Sequence, residues 1–286
     1  MTCSTPPTLA QTLLRLQALG LDRLDAQLLL LHVLNQVPHN RAWLLAHDTD
    51  LIDDATLQRL DTLTSRRQQG EPLAYLIGHK EFYGLTLQVD GRVLVPRPDT
   101  ETLVDWALEL LQATPSAAVL DLGTGSGAIA LALKASRPTL RVSALDYSED
   151  ALTVARGNAQ RLHLTVQFQQ GAWLTEVQGH FDIIVSNPPY IAAQDEHLSA
   201  LTFEPLQALT SGDDGLDDIR CIISQAPAHL QPGGWLLLEH GHDQAAAVRD
   251  LLAAAGFAEI KSCIDLSGIE RCSGGRKSEP VALTTI

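Results

Sequence analysis

Ten residues, Phe181-Asp182-Ile183-Ile184-Val185-Ser186-Asn187-Pro188-Pro189-Tyr190, constrain the fold more than any other stretch of the chain. Their apolar, β-branched first half predicts a buried strand over Phe181–Ser186. Two prolines then end any strand ladder. Each fixes its own φ and pushes the residue before it into an extended conformation. Asn187 and Pro188 are thereby held beyond the carboxyl end of a strand, where open α/β sheets place their ligands.

The surrounding pattern supplies the sheet. Strands are expected at residues 117–122, 141–146, 165–170, 181–186, 235–240 and 257–264, with helices at 127–136, 149–162 (capped by Ser148), 217–229 and 243–255. Repeated β-α units predict an α/β, Rossmann-like, parallel and doubly wound sheet. Ahead of it, residues 8–19, 22–36, 41–47 and 53–69 read as amphipathic helices and predict a small N-terminal helical bundle. Residues 81–95 alternate at period two around Gly84 and Gly91, which predicts a β-hairpin. A helix over 102–112 follows, with Asp99 or Thr100 as its cap. Three segments result: 1–75 as the bundle, 76–98 as a hairpin linker and 99–286 as the larger domain.

At 286 residues with 45% hydrophobic content the chain has ample core. It contains no apolar run long enough for a membrane span and no recognisable signal peptide, so a cytoplasmic location is expected. Cys3, Cys221, Cys263 and Cys272 are scattered and read as reduced thiols. His32, His39 and His47 have no carboxylate or cysteine at ligand spacing, so no metal is expected. The net charge of −14 argues against a grip on long phosphate backbones. Residues 1–80 are nearly balanced, with 7 Lys+Arg against 8 Asp+Glu, so the acidity belongs to the remainder. That surface suits a basic or protein partner better than naked nucleic acid.

The chemistry follows from what Asn-Pro-Pro-Tyr can offer. The Asn187 side-chain oxygen and the Pro188 carbonyl are acceptors, and neither prolyl nitrogen competes as a donor. Two convergent acceptors hold both N–H bonds of a planar NH2 group, with the Tyr190 ring covering its face. Charge can then develop on that nitrogen as it attacks an electrophilic carbon. Taken alone, the motif is a Pro-Pro turn closing a strand. A second motif raises the functional reading.

Asp121-Leu122-Gly123-Thr124-Gly125-Ser126-Gly127 sits at the first strand-to-helix turn. Its glycines allow a tight turn and close approach of a ligand, which serves NAD, FAD or S-adenosylmethionine equally. Asp146 closes the next strand 19 residues after Gly127, where a carboxylate accepts both ribose hydroxyls of an adenosine. A dinucleotide also needs a pyrophosphate site. S-adenosylmethionine carries a cation instead, which acidic surroundings suit. The bland alternative for Asp146 is a cap on the helix that Ser148 begins.

The pairing of DLGTGSGAIALAL with IVSNPPYI resembles the class I methyltransferases that modify planar amino groups. With LVPRPDTETLV, FEPLQAL, LLLEHG and the N-terminal DAQLLLLHVL, the chain resembles the PrmC/HemK family of peptide chain release factor N5-glutamine methyltransferases over residues 25–272. The resemblance implies a five-helix N-terminal domain, a hairpin linker and a seven-stranded methyltransferase domain; the bundle, which carries no chemical motif, is expected to dock the substrate. It implies S-adenosyl-L-methionine as cofactor and peptide chain release factors 1 and 2 as protein partners, methylated on the glutamine of a Gly-Gly-Gln loop. It implies neither a membrane nor sequence-specific nucleic acid.

Position by position, Gly123, Thr124, Gly125, Ser126 and Gly127 would line the methionine and ribose portion, Asp146 would hold the ribose, and Trp173 would border the adenine. Asn187 would face both cofactor and substrate. Asn187, Pro188, Pro189 and Tyr190 would hold the amide, with Asn187, Pro188 and Tyr190 as the catalytic set. Arg97 and Thr100 would border the site. Ala172 stands where the family usually has an acidic residue and Thr202 where it often has arginine. The tail from Cys272 matches the family's closing strand poorly and leaves the seventh strand unassigned. Rival readings are a ribosomal-protein glutamine methyltransferase, a methyltransferase for exocyclic amines of nucleic acid, and a non-catalytic cofactor-binding protein. His240 and His242 read as loop residues rather than bases.

Overall fold

The computed structural model describes residues 6–37 and 40–278. The chain divides after His79 into two compact units. The first contains α1 (Leu9–Ala18), α2 (Arg23–Val33), α3 (Arg41–Ala46), α4 (Asp54–Gln68) and α5 (Leu73–Ile77). Thr8 and Gln11 form a reciprocal capping box at the start of α1, and Asp53 caps α4 through the Thr56 amide. Leu16, Leu29, Leu30 and Leu60 are fully buried in its core. The short α5 escapes a pattern search because five residues show barely one helical turn of periodicity. Gly78, at φ +78°, stops it. His47 stacks on Trp43 and His32 is partly buried, whereas His39 and Cys3 lie outside the described residues.

The boundary falls one residue into β1 (His79–Phe82), which is followed in the second unit by β2 (Leu85–Gln88). Tyr83 and Gly84 both have positive φ, the geometry of a tight two-residue hairpin turn. The hairpin is shorter than the period-two pattern predicts. Residues 89–97 pair with no strand; Val93 and Val95 are buried, so their alternation reflects an extended strap rather than a ladder. A 3-10 turn, Pro98–Thr100, leads into α6 (Glu101–Leu110). Neither Asp99 nor Thr100 caps that helix through its side chain as expected, and Thr100 spends its hydroxyl elsewhere.

The remaining elements are β3 (Ala118–Leu122), α7 (Ala128–Ser136), β4 (Arg141–Asp146), α8 (Glu149–Arg161), β5 (Gln167–Gln170), β6 (Phe181–Ser186), α9 (Asp217–His229), β7 (Leu230–Glu239), α10 (Ala245–Ala254), β8 (Phe257–Ile264) and β9 (Glu270–Lys277). They build a seven-stranded sheet in the order β5-β4-β3-β6-β7-β9-β8. Successive residues alternate between its two faces. Val119, Ile183, Val185 and Leu237 join the layer of α6 and α7, while Leu120, Ile184, Leu236 and Leu238 join that of α9 and α10. Burial on both faces is why these strands read as continuous apolar runs.

The sheet is mixed rather than wholly parallel. β9 runs antiparallel to both β7 and β8, because the short turn from Ile264 to Glu270 can join only antiparallel neighbours. Thus β9 supplies the seventh strand that the tail left unassigned. Its glycines hid it and yet are required. A Cβ on Gly274 would stand 2.6 Å from the Leu236 carbonyl and 2.8 Å from the Trp106 ring.

Candidate active site

Strand order reverses between β3 and β6, since the chain runs outward through β4 and β5 on one side and through β7 on the other. The crevice at their carboxyl ends is where a doubly wound sheet accepts ligands. A cavity of about 250 Å³ lies there. Gly123, Gly125, Asp146, Trp173, Asn187 and Pro189 line it, so the glycine turn and the NPPY motif meet at one site.

The glycine turn is built for close approach. Gly125 has φ +55° and an added Cβ would meet nothing, which leaves its backbone open. Gly127, at φ +85°, would bring an added Cβ within 3.3 Å of Ala155 on α8, so α8 packs closely against the turn that begins α7. Thr124 and Ser126 are buried and do not line the cavity. Asn158, fully buried on α8, accepts from the Gln88 amide and donates to the Gln88 and Ser126 carbonyls, tying the hairpin to the turn.

Asp121 lies beneath this turn with no exposed surface. Its Oδ2 accepts from Thr124 Oγ1 at 2.6 Å and from the Ala130 amide at 3.1 Å, while Oδ1 has no partner among the described residues. Burial pushes its carboxyl up to about 7, against the pull of those two donors. An unpartnered buried acceptor under a glycine cradle suits a cationic or amino-bearing ligand. Asp121 stands outside the set of site residues expected from the sequence; its place two residues before Gly123 is the signal that marks it.

Asp146 accepts from the Gly125 amide at 2.8 Å through Oδ2 and from the Ser148 amide at 2.9 Å through Oδ1. It therefore braces the turn and the start of α8, and Ser148 caps that helix through the Ala151 amide. Each carboxylate oxygen keeps a further lone pair for a ligand hydroxyl. Burial raises its pKa. Trp173 has φ +49°, an unusual conformation for a bulky residue. Its ring packs over Gly123, and its Nε1 donates to Asp218 Oδ1 at 3.0 Å. Asp218 lines the cavity beside Ala172, so a carboxylate reaches this wall from α9.

At the NPPY motif, Asn187 Nδ2 donates to Thr100 Oγ1 at 3.2 Å, which leaves Oδ1 as a free acceptor. Pro188 is buried, and neither it nor Tyr190 lines the cavity. The Tyr190 hydroxyl points to Glu239 Oε1 at 3.4 Å, and its carbonyl accepts from Gln244 Nε2 at 3.0 Å. Gly215 stands against that carbonyl, where an added Cβ would lie 2.2 Å away. Arg97 Nη2 donates to Glu204 Oε1 at 2.5 Å, and the Val95 amide donates to Oε2 at 3.1 Å. The FEP glutamate thereby clasps the strap to the segment whose Pro205, Gln207 and Ala208 form the opposite wall. His240 lies just past the end of β7, as read, yet is fully buried, with its ring held by the Gly241 carbonyl and the Ser273 hydroxyl.

Comparison with known proteins bears on what this site serves. Residues 102–212 match the Methyltransferase small domain family, and residues 8–78 match the PrmC N-terminal domain family. The chain is 50% identical over 260 residues to a release factor glutamine methyltransferase of Bordetella pertussis, covering 90% of this chain and 95% of that one. It is 47% identical over 283 residues to the release factor glutamine methyltransferase of Burkholderia pseudomallei, covering 96% and 98%. A crystal structure of a methyltransferase from Pyrococcus furiosus matches with a TM-score of 0.54 at 20% identity, over 75% of this chain and 99% of that one, a likeness of fold.

Proposed function

The chain belongs to the release factor glutamine methyltransferase family, and on that premise we propose how its own residues methylate the glutamine side chain of a peptide chain release factor. The cofactor is S-adenosyl-L-methionine. Bound in the cavity, it supplies an electrophilic methyl carbon on a sulfonium. Asp146 takes the ribose hydroxyls, the Trp173 wall borders the adenine, and the glycine turn over Asp121 takes the methionine portion. The carboxylates of Asp146 and Asp218, which line the pocket, give it the negative character a cation requires.

One observation carries the catalytic reading. The Asn187 NH2 is tied to Thr100, so its oxygen is the group left for a substrate. Asn187 Oδ1 and the Pro188 carbonyl would then hold the two N–H bonds of the glutamine amide, with Pro189 in the wall against it and Tyr190 supporting the motif from behind through Glu239 and Gln244. An amide nitrogen is a poor nucleophile because its lone pair is delocalised. Fixing both protons turns the nitrogen towards the methyl and stabilises the positive charge that develops on it. No side chain is needed as a base before attack, since the proton leaves once the nitrogen has become cationic.

The finer assignments rest on the same reading. The substrates are release factors 1 and 2, modified at N5 of the glutamine in the Gly-Gly-Gln loop, in the cytoplasm. No helix among the described residues is long and apolar enough to cross a membrane, which accords with that location. Residues 1–75 dock the factor, residues 76–98 link, and residues 99–286 carry the chemistry. In support, the first unit has its own leucine core and no reactive motif, while every lining residue of the cavity belongs to the second. Mass spectrometry of each factor after incubation with labelled S-adenosylmethionine tests the assignment. Label on nucleic acid and on no release factor would defeat it.

A further inference from the structure

The NPPY motif offers little backbone to hold it in place. Pro188 and Pro189 carry no N–H, so the stretch must be anchored through carbonyls and through the peptides that flank it. The Tyr190–Ile191 peptide is anchored in this way. Its carbonyl accepts from Gln244 Nε2 at 3.0 Å, and its N–H donates to the Leu209 carbonyl at 2.9 Å. A peptide unit is planar, so partners at both of its ends fix its orientation.

Gln244 stands immediately before α10, in the loop that leaves β7. Its Oε1 accepts from the Gly241 amide at 2.8 Å. Its Nε2 donates to the Tyr190 carbonyl and, at 3.3 Å, to the Asp214 carbonyl. A backbone N–H only donates and a backbone carbonyl only accepts, so these partners admit a single orientation of the amide. Glycines make room for it. A Cβ on Gly215 would stand 2.2 Å from the Tyr190 oxygen and 2.8 Å from Gln244 Nε2, and one on Gly241 would stand 3.0 Å from Oε1. Gln244 does not line the cofactor cavity. No step assigned so far uses it.

We propose that Gln244 is a positioning residue for methyl transfer, locking the Tyr190–Ile191 peptide and through it the aim of the Pro188 carbonyl at the substrate amide. Only the rotations of Pro189 and Tyr190 separate that carbonyl from the locked peptide, and the proline ring fixes one of them. Thr100 holds the other end of the motif through the Asn187 side chain. Tied at both ends, the motif keeps its two acceptors at a constant spacing. Without Gln244 the far end is held through Ile191 and through the Tyr190 hydroxyl, whose contact with Glu239 is 3.4 Å long. The Pro188 carbonyl is then free to turn away, and a misplacement of about 1 Å in a positioning group costs up to about 10²-fold in rate.

This inference rests on the methyl-transfer reading of Asn187 and Pro188, and the test keeps their failures apart. In the full-length protein, Q244L keeps the approximate volume of the side chain and removes its hydrogen bonds. Single-turnover transfer at saturating release factor and cofactor should fall about 10–10²-fold, while calorimetric affinity for S-adenosylmethionine stays as in the wild type. Q244E adds a readout that a loss of packing would not give. Its carboxylate still accepts from Gly241 but sets a bare oxygen against the Tyr190 and Asp214 carbonyls, and protonation restores one donor. Those carbonyls favour the protonated form, so the ratio of Q244E to wild-type transfer should climb as pH falls, whereas the ratio for Q244L stays flat. The charged groups nearby, Asp214 with its partner Arg220 and the loop residues His242 and Asp243, are common to all three proteins. Independently of turnover, the amide NMR signal of Ile191 should titrate in Q244E along the same curve.

If label appears only on a substrate other than a release factor, the functional reading fails, and the same ratios measured on that substrate still decide this one. Wild-type transfer by Q244L, a loss carried by cofactor affinity with transfer unchanged at saturation, or a flat ratio for Q244E would overturn the role of Gln244.

Discussion

Asn187 should matter to the reaction more than to the cofactor, because one face of its amide is already committed to Thr100. Asn187→Ala is expected to lower single-turnover methyl transfer by about 10²–10³-fold, the scale of a lost preorganised partner. Cofactor affinity, measured by calorimetry, should stay within about tenfold, since one neutral hydrogen bond contributes only about 0.5–1.5 kcal/mol. Asp146 should behave in the opposite way. Asp146→Ala is expected to weaken cofactor binding by about 1.5–3 kcal/mol, as for hydrogen bonds to a charged group. It also releases the Gly125 and Ser148 amides, so some loss of melting temperature should accompany it. Unchanged affinity would leave Asp146 as a brace for the turn alone. At this scale the sequence showed the residues that carry chemistry in contiguous motifs. It did not show Thr100 as the partner of Asn187, because a contact across 87 positions leaves no local pattern.

The elements legible in the chain were those with an apolar period or a strong cap. β3, β4 and β6 are bounded by the sequence to within a residue, and Ser148 caps α8 as expected. Elements set by tertiary packing were not. The alternation through residues 89–95 looked like a strand although it reflects burial of Val93 and Val95 in a strap outside the sheet ladders. β9 looked like a polar tail because Gly274 and Gly275 lie where side chains from other elements occupy the space. The central strand order was implied by β-α repetition; the antiparallel β9 was not, since its turn is ruled by Asp265 accepting the Ser267 and Ile269 amides. A direct test of β9 is Gly274→Val. The new Cβ meets Leu236 backbone, which cannot rotate away, so thermal or denaturant unfolding should show a loss of about 1–3 kcal/mol or more. Wild-type stability in that variant would mean β9 is not seated in the sheet as described.

On the scale of the whole molecule, the site is held at the expense of stability. The folded-state pKa values of Asp121 and Glu239 are raised to about 7 by burial, so the native protein holds more protons than the unfolded chain between about pH 4 and 7. Their contribution to stability is therefore present at low pH and is lost as pH rises through the folded values. E239Q should melt above the wild type at pH 8, with the difference closing towards pH 5. A constant difference would show that the folded-state pKa of Glu239 is not raised above its unfolded value. The two units invite a separate test. Removing residues 1–78 should spare cofactor binding, because the cavity and both of its supporting cores lie beyond them, and should impair methylation of an intact release factor. Equal rates with and without the first unit would deny it a docking role. The most direct measurement of the whole account is peptide mass spectrometry of a release factor incubated with labelled S-adenosylmethionine and either wild-type protein or Asn187→Ala. The account predicts one methyl group on the glutamine of the Gly-Gly-Gln loop with the wild type, and transfer slowed by two or more orders of magnitude with the variant. A methyl group on another residue, or an Asn187→Ala variant that transfers at the wild-type rate, would contradict it.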